Sequence, residues 1–390
     1  MEHYKRHTVI WTAARPIAYL LCRIKFNYRC PVYNMDGPLL VLSNHVTDWD
    51  PLMVASAFKK HMYFVGSEHI MRQGFLSRLL GFVQPLITRQ KGGSGASTVK
   101  NMLQEIKQGH SVALFPEGNR TWDGVTRDFP RATGKLARTS GATLVTFRLK
   151  GGYLSSPRWA GSNIHKGEMF GDIVNVYTPE QLKAMTVEQV NAAIAADLYE
   201  DAYATQRKHK IRFRSENCAE GLESLLFICP RCGKMHRMRS YDNKFFCGAC
   251  GTELRFGTSG FFSGEGTVFN NVYDWRVWQS EKIRSLCENA DCDSPIFRDT
   301  GFGLWSVESG KSAEYLGGGS LSLYKDRLEL PAGISVPIEE LVGLSVRGQS
   351  ELHIGTANGH NFELKSEELR CTEKYVEACG FLGSSAGSGI

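Results

Sequence analysis

The chain has 390 residues, 42% hydrophobic and 22% charged. This composition excludes a disordered protein and leaves room for two or three packed domains. The net charge of +6 is mild and uneven: Lys5, Arg6, Arg15, Arg23, Lys25 and Arg29 face only Glu2 in residues 1–30, so nearly all the excess sits there. Eleven cysteines, four of them tightly spaced, suit a reducing cytosol better than a disulfide scaffold.

The basic N-terminus is interleaved with Ile10, Trp11, Ile17, Tyr19, Leu20, Leu21 and Ile24. Arg15, Pro16 and Arg23 interrupt it, so it does not read as a spanning helix, and no secretory cleavage pattern follows. Two readings remain open, a helix lying on an anionic membrane surface and a helix packed on the protein's own core.

From residue 38 to about 177, apolar runs alternate with helical patterns, which predicts α/β architecture. Leu39–Leu42, Val112–Phe115 and Ala142–Phe147 are the expected buried strands, and residues 97–109 a capped helix closed by Gly109. GGSGAS at 92–97 lacks the GK[ST] ending of a P-loop and reads as a connection. Thr178-Pro179-Glu180 opens a helical region that ends in the basic run RKHK, expected to be a solvated helix end.

NHVTDWDP at 44–51 follows the first strand. His45 and Asp50 would lie roughly 140° apart on a regular helix and could not meet. They meet if His45 sits in the turn and Asp50 caps the helix, with Pro51 as its first residue. A carboxylate on one ring nitrogen then leaves the other free as a general base. By itself the pattern is short and common. A second apolar run ends in FPEGNRT at 115–121, bringing Glu117, Asn119 and Arg120 to the end of a strand, and GFVQPLITRQ at 81–90 brings Arg89. Arginines beside a histidine suit a phosphate-bearing substrate.

These residues carry a resemblance to the glycerophospholipid acyltransferases, the lysophosphatidate acyltransferase family. NHVTDWDP resembles their NHxxxxDP motif, FPEGNRT their FPEGTRS motif, and GFVQPLITR the block ending in a phosphate-binding arginine. LVTFRLKGG departs from the fourth block, with Thr146 where proline is usual. The resemblance covers residues 1–210. It implies that His45, oriented by Asp50, takes the proton from a lipid hydroxyl, which attacks an acyl-CoA or an acyl-carrier-protein thioester. Arg89, Glu117, Gly118, Asn119 and Arg120 would then hold the acceptor, 1-acyl-glycerol 3-phosphate, and the product would be phosphatidate. No catalytic metal is expected, and a peripheral position on the cytoplasmic face of the membrane follows. Another lysophospholipid or a glycolipid remains open as acceptor, as does a non-catalytic regulator.

Further on, Cys229-x2-Cys232-x14-Cys247-x2-Cys250 has the spacing of a zinc ribbon, with Gly233 and Gly251 permitting the knuckle turns. Four thiolates leave no open position, so the zinc would be structural. Arg231, Lys234, Arg237, Arg239 and Lys244 make the module basic, which suits a solvated surface, a membrane or carrier-protein contact, or nucleic acid. Nucleic acid is not the expected partner. Residues 271–286 read as an amphipathic helix. After Gly317 come short alternating segments, an Asn358-Gly359 turn and a closing helix, the pattern of a small PH-like β-sandwich. The expected organisation is an α/β acyltransferase domain at 1–215, a zinc ribbon at 216–260, a β-rich domain at 261–383 and a flexible tail at 384–390. In the first, a mixed, mostly parallel sheet is flanked by helices and preceded by a membrane-surface helix.

Overall fold

A computed structural model describes residues 2–67, 86–89, 95–307, 313–366 and 368–384. The chain forms two compact units, one of residues 1–157 and 164–215, the other of 158–163 and 216–390.

The first unit is built on a seven-stranded sheet. Its strands are β1 (Tyr28–Arg29), β2 (Leu39–Ser43), β3 (Met62–Ser67), β4 (Leu86–Arg89), β5 (Ser111–Leu114), β6 (Thr143–Lys150) and β7 (Met169–Tyr177). They lie in the order β1-β7-β6-β2-β5-β3-β4. The pairs from β6 to β4 are parallel, while β7 runs antiparallel to β6, so the sheet is mixed and mostly parallel. Strand side chains alternate between faces, and β2 shows the consequence. Leu39 and Val41 join one core with Trp11, Met53 and Val54, whereas Leu40 and Leu42 join the other with Met102, Leu136 and Ile194. Helices α1 (Glu2–Phe26) and α2 (Asp50–Ala57) therefore cover one face. The other is covered by α3 (Gly95–Lys107), α4 (Ala132–Thr139) and two further helices described next.

After the short α5 (Gly152–Ser155), residues 178–209 fold as three helices, not one region: α6 (Pro179–Ala184), α7 (Val187–Leu198) and α8 (Ala202–His209). Leu182 of α6 and Val190 of α7 reach the second core. Thr178 with Gln181 and Thr186 with Gln189 form two capping boxes, each satisfying amides that a new helix leaves open. α1 continues through Pro16 and buries Trp11, Ala18, Cys22 and Phe26. Its other side leaves Val9, Ile17, Leu20, Leu21 and Ile24 exposed. No described helix is long and apolar enough to cross a membrane.

In the second unit, β8 (Met238–Tyr241), β9 (Lys244–Cys247), β10 (Glu253–Phe256) and β11 (Phe262–Ser263) form a four-stranded antiparallel sheet. α9 (Val272–Glu288) follows, with Trp275 packed against Phe245 and Phe262. Then come seven antiparallel strands: β12 (Phe297–Ser306), β13 (Glu314–Leu323), β14 (Arg327–Glu329), β15 (Ser335–Pro337), β16 (Leu341–Arg347), β17 (Glu351–Thr356) and β18 (Asn361–Ser366). Their order is β15-β14-β13-β12-β18-β17-β16, and α10 (Glu373–Ser384) closes the chain. Phe227, ahead of the ribbon sheet, packs on Phe297 of the larger sheet with ring centroids 6.0 Å apart. The Lys374 ammonium is buried on the Asp299 carboxylate at 2.6 Å, with the Phe227 and Phe297 rings about it. The Asp299 carboxylate offsets part of the desolvation cost, yet burial still holds the Lys374 ammonium below its usual range.

Candidate active site

In a mostly parallel sheet, the loops after the strands gather along one edge. β2 and β5 are neighbours in register, Leu42 beside Leu114, so NHVTDWDP and FPEGNRT emerge side by side.

His45 Nδ1 lies 2.9 Å from Asp50 Oδ2. The same oxygen accepts from the Val46 and Thr47 amides at 2.6 and 2.9 Å, and Oδ1 accepts from the Thr47 hydroxyl at 2.6 Å. Asp50 is fully buried, so these four donors replace the water an ionised carboxylate would otherwise need. An acceptor at Nδ1 places a proton on that nitrogen and makes Nε2 the nitrogen turned away from the carboxylate. The sequence expectation that Asp50 caps α2 needs correction. The N-cap is Trp49, without a side-chain cap bond, and Asp50 is the first helical residue. Its carboxylate turns back to amides that precede the helix, which is how it reaches His45.

The backbone of His45 is held on both sides. Its N–H donates to Glu117 Oε1 at 2.8 Å and its carbonyl accepts from the Thr121 amide at 3.0 Å. The other oxygen of Glu117 accepts from the Arg127 amide at 2.9 Å. Burial pushes the Glu117 carboxyl up to about 7, against the pull of the two amides and of the His45 and Arg127 charges. The His45 ring stacks on Phe115 with centroids 4.4 Å apart. Arg120, 9% exposed, donates from Nη1 to Asp48 Oδ2 at 3.0 Å, joining the two loops a second time. Asn44 makes a third tie: its amide donates to the Leu149 carbonyl at 2.9 Å and its oxygen accepts the Leu149 N–H at 2.8 Å.

The structure thus brings together His45, Asp50, Glu117 and Arg120. Gly118 follows with φ +73°, a conformation that disfavours any side chain, and both it and Asn119 are exposed. Arg89 ends β4, opposite Ser67 of β3, but its side chain lies outside the described residues, as do residues 81–85 of its block. Sequence reasoning missed the Asn44 clamp and the Phe115 stack. The two hydrogen bonds that Glu117 accepts from backbone amides, one on each oxygen, were not legible either. Thr146, the departure from the fourth block, bonds Asp197 at 2.9 Å, and the part of that block that touches the site is the Leu149 backbone.

In the second unit, Cys229 and Cys250 have Sγ atoms 3.8 Å apart, as do Cys232 and Cys247, and all four lie within 4.8 Å of one another. Thiolates about 2.3 Å from a central zinc in a tetrahedron lie about 3.8 Å apart, so the cluster fits a structural metal. Gly233 and Gly251 take φ +71° and +72°, as the knuckle turns require. Glu351, His353 and Glu363 also cluster. There the two carboxylates approach opposite nitrogens of the ring and Lys365 answers Glu363 at 3.2 Å, which is an ion-pair network.

The Acyltransferase family model matches residues 23–150. A 1-acyl-sn-glycerol-3-phosphate acyltransferase of Borreliella burgdorferi is 24% identical over 112 residues, 28% of this chain and 45% of that protein. The chain therefore spans less than half the length of this curated relative. Among solved structures, the 1-acyl-sn-glycerophosphate (LPA) acyltransferase PlsC of Thermotoga maritima aligns with 50% of this chain and 76% of its own, at 16% identity and a TM-score of 0.38. The C-terminal domain of an unknown protein from Leishmania infantum aligns over 27% of this chain and 96% of its own, at 14% identity and a TM-score of 0.17. At such TM-scores neither carries weight here. The family model and the curated relative bear out the resemblance read from the motifs, over residues 23–150, which match the Acyltransferase model.

Proposed function

We propose, from the acyltransferase domain in residues 23–150, that this chain moves a fatty acyl group from a thioester to the free hydroxyl of 1-acyl-glycerol 3-phosphate, making phosphatidate. The observation that carries this is the Asp50–His45 pair, with Nδ1 held at 2.9 Å and Nε2 left as the basic nitrogen. Nε2 takes the hydroxyl proton as the acceptor oxygen attacks the thioester carbonyl. The tetrahedral intermediate collapses, the C–S bond breaks, and the departing sulfur recovers the proton from His45. No acyl-enzyme is needed, so no nucleophilic Ser or Cys is required. Glu117 and Arg120 keep the His45 loop in place. Arg89, Gly118, Asn119 and the remaining donors of Arg120 would hold the acceptor phosphate.

The donor is acyl-CoA or an acylated carrier protein. Cys229, Cys232, Cys247 and Cys250 would hold a zinc ion, which when bound stabilises the fold of the second unit. The β-rich segment after it, with its closing helix, is PH-like. The exposed apolar row of α1 lies on the cytoplasmic face of the membrane, where both acceptor and product reside.

His45→Ala, assayed with lysophosphatidate and an acyl thioester, should lose about 10²–10⁴ in rate, and unchanged turnover would sink the mechanism. A panel of lysolipid acceptors with both carriers separates phosphatidate synthesis from acylation of another lysophospholipid or a glycolipid.

A further inference from the structure

A cavity of about 710 Å³ opens beside the end of α1, lined by Leu20, Arg23, Ile24 and Asn27, by Lys166–Glu168, and by His209–Arg212 with Arg214. Its one carboxylate, Glu168, is paired with Arg29 at 3.0 Å. Arg23, Lys166, Lys210, Arg212 and Arg214 have no ion pair among the described residues.

Arg23 and Lys210 sit at helix C-termini, where a cation is favourable for ordinary reasons. Lys166, Arg212 and Arg214 have no such reason. Lys166 and Arg214 face each other across an antiparallel bridge, exchanging both backbone bonds at 2.8 and 2.9 Å. Like charges placed directly opposite destabilise a strand pair, and an anion bound between them would offset that. The backbone cannot relieve this. Ile211 and Phe213 are buried and turn Arg212 and Arg214 outward, and Phe213 packs where a side chain at Gly167 would collide, at 2.2 Å. The last two residues of the run that reads from sequence as a solvated helix end, His209 and Lys210, join Arg212 and Arg214 in one wall of a cationic pocket.

Apolar residues rise from its rim. Leu20 and Ile24 line it and are 54% and 61% exposed, and Ile17 and Leu21 continue the row along α1. A free phosphate or a soluble nucleotide would use the cations and leave this row in water. A phosphate that arrives attached to acyl chains uses both. We propose that the pocket receives the headgroup of an anionic phospholipid of the membrane surface while the α1 row enters the acyl region. The pocket shares no residue with the proposed acceptor site. It lies at the same edge of the first unit, since the Lys25 ammonium stacks on Trp49 of NHVTDWDP at 4.1 Å and Phe26 packs on the same ring at 5.8 Å. A lipid held there orients His45 toward the bilayer. The proposal rests on the membrane-surface reading of α1.

The full chain would be sedimented with vesicles of phosphatidylcholine alone and of phosphatidylcholine with phosphatidylglycerol. The triple variant Lys166→Gln, Arg212→Gln, Arg214→Gln should bind the anionic vesicles about 100-fold more weakly, at roughly five-fold per basic residue. The control Lys107→Gln, Lys135→Gln, Lys183→Gln, at exposed positions elsewhere on the first unit, should bind like the wild type. Thermal melts of both establish folding, and Arg212→Gln alone serves if the triple variant melts early. Equal losses in the two triple variants, or no loss in either, would overturn the pocket while leaving membrane association intact. Displacement by millimolar inorganic phosphate with vesicles of either composition would overturn it in favour of a soluble anion. Failure of the wild type to sediment with any vesicle would overturn the membrane reading itself, and the pocket proposal with it.

Discussion

Glu117 shows what a single residue decides in this site. The resemblance of FPEGNRT to an acceptor-binding motif makes it a substrate contact. Folded, it gives one oxygen to the His45 amide and the other to the Arg127 amide. Its carboxyl is pushed up to about 7 from 4.5. Between those values the folded chain holds a proton that the unfolded chain has released, so this group's contribution to stability is present below pH 4.5 and is lost as pH rises through 7. Glu117→Gln, which mimics the protonated form, should therefore gain stability relative to the wild type as pH rises from 4.5 to 7. Buried His61 and His165, both lowered to about 4 mainly by burial, act with the opposite sign between pH 4 and 6.5. Only the difference between wild type and variant therefore isolates Glu117, and thermal melts across this range measure it; a constant difference refutes the clasp's titration. Activity should move the other way at neutral pH. One amide loses its acceptor and the His45 loop loosens, and a displacement of about 1 Å costs on the order of 10²-fold in rate.

At the scale of elements, the strands were legible because parallel strands buried on both faces read as continuous apolar runs, as in LLVLS. The helices of 178–209 were legible as helix but not as three. Thr186-x-x-Gln189 carries the same capping signature as Thr178-x-x-Gln181, and only the latter has a proline to announce it. The cap at Asp50 was misplaced because a carboxylate at a helix start can reach amides on either side, and spacing does not say which. The ribbon's spacing fixes four sulfurs to a common centre, and the fold brings them within 4.8 Å. If they hold zinc, binding energy is folding energy for that element. Chelation should then lower one of two calorimetric transitions and leave the other, that of the first unit, in place. Insensitivity of both transitions to chelator and to added zinc would remove the metal from this account.

For the molecule as a whole, chain order and spatial membership part company at residues 158–163. These six residues lie within the segment expected to be acyltransferase domain, yet they pack in the second unit. Trp159 is fully buried there against Phe256 with centroids 5.6 Å apart, its carbonyl accepts from Gln349, and Arg158 donates to the Gly348 carbonyl at 3.1 Å. Trp159→Ala should therefore destabilise the chelator-sensitive unit by about 3–5 kcal/mol, as large-to-small changes in a core do. Calorimetry that shows the loss in the other transition would contradict the assignment.

The sequence by itself determined the dyad's residue types, the α/β alternation, the order of the motif blocks and the ribbon's cysteine spacing. Each of these is carried by local chemistry: periodicity, turn residues, and the spacing of groups that must converge. Tertiary structure alone decided that Asp50 turns back to His45, that Glu117 clasps two loops, and that Leu149 holds Asn44 across 105 residues. It also decided that Lys166 faces Arg214 and that Trp159 leaves its neighbours for another core. These contacts depend on which strands become neighbours and on which face each residue falls. That is settled by burial of the whole sheet, not by any window of the chain.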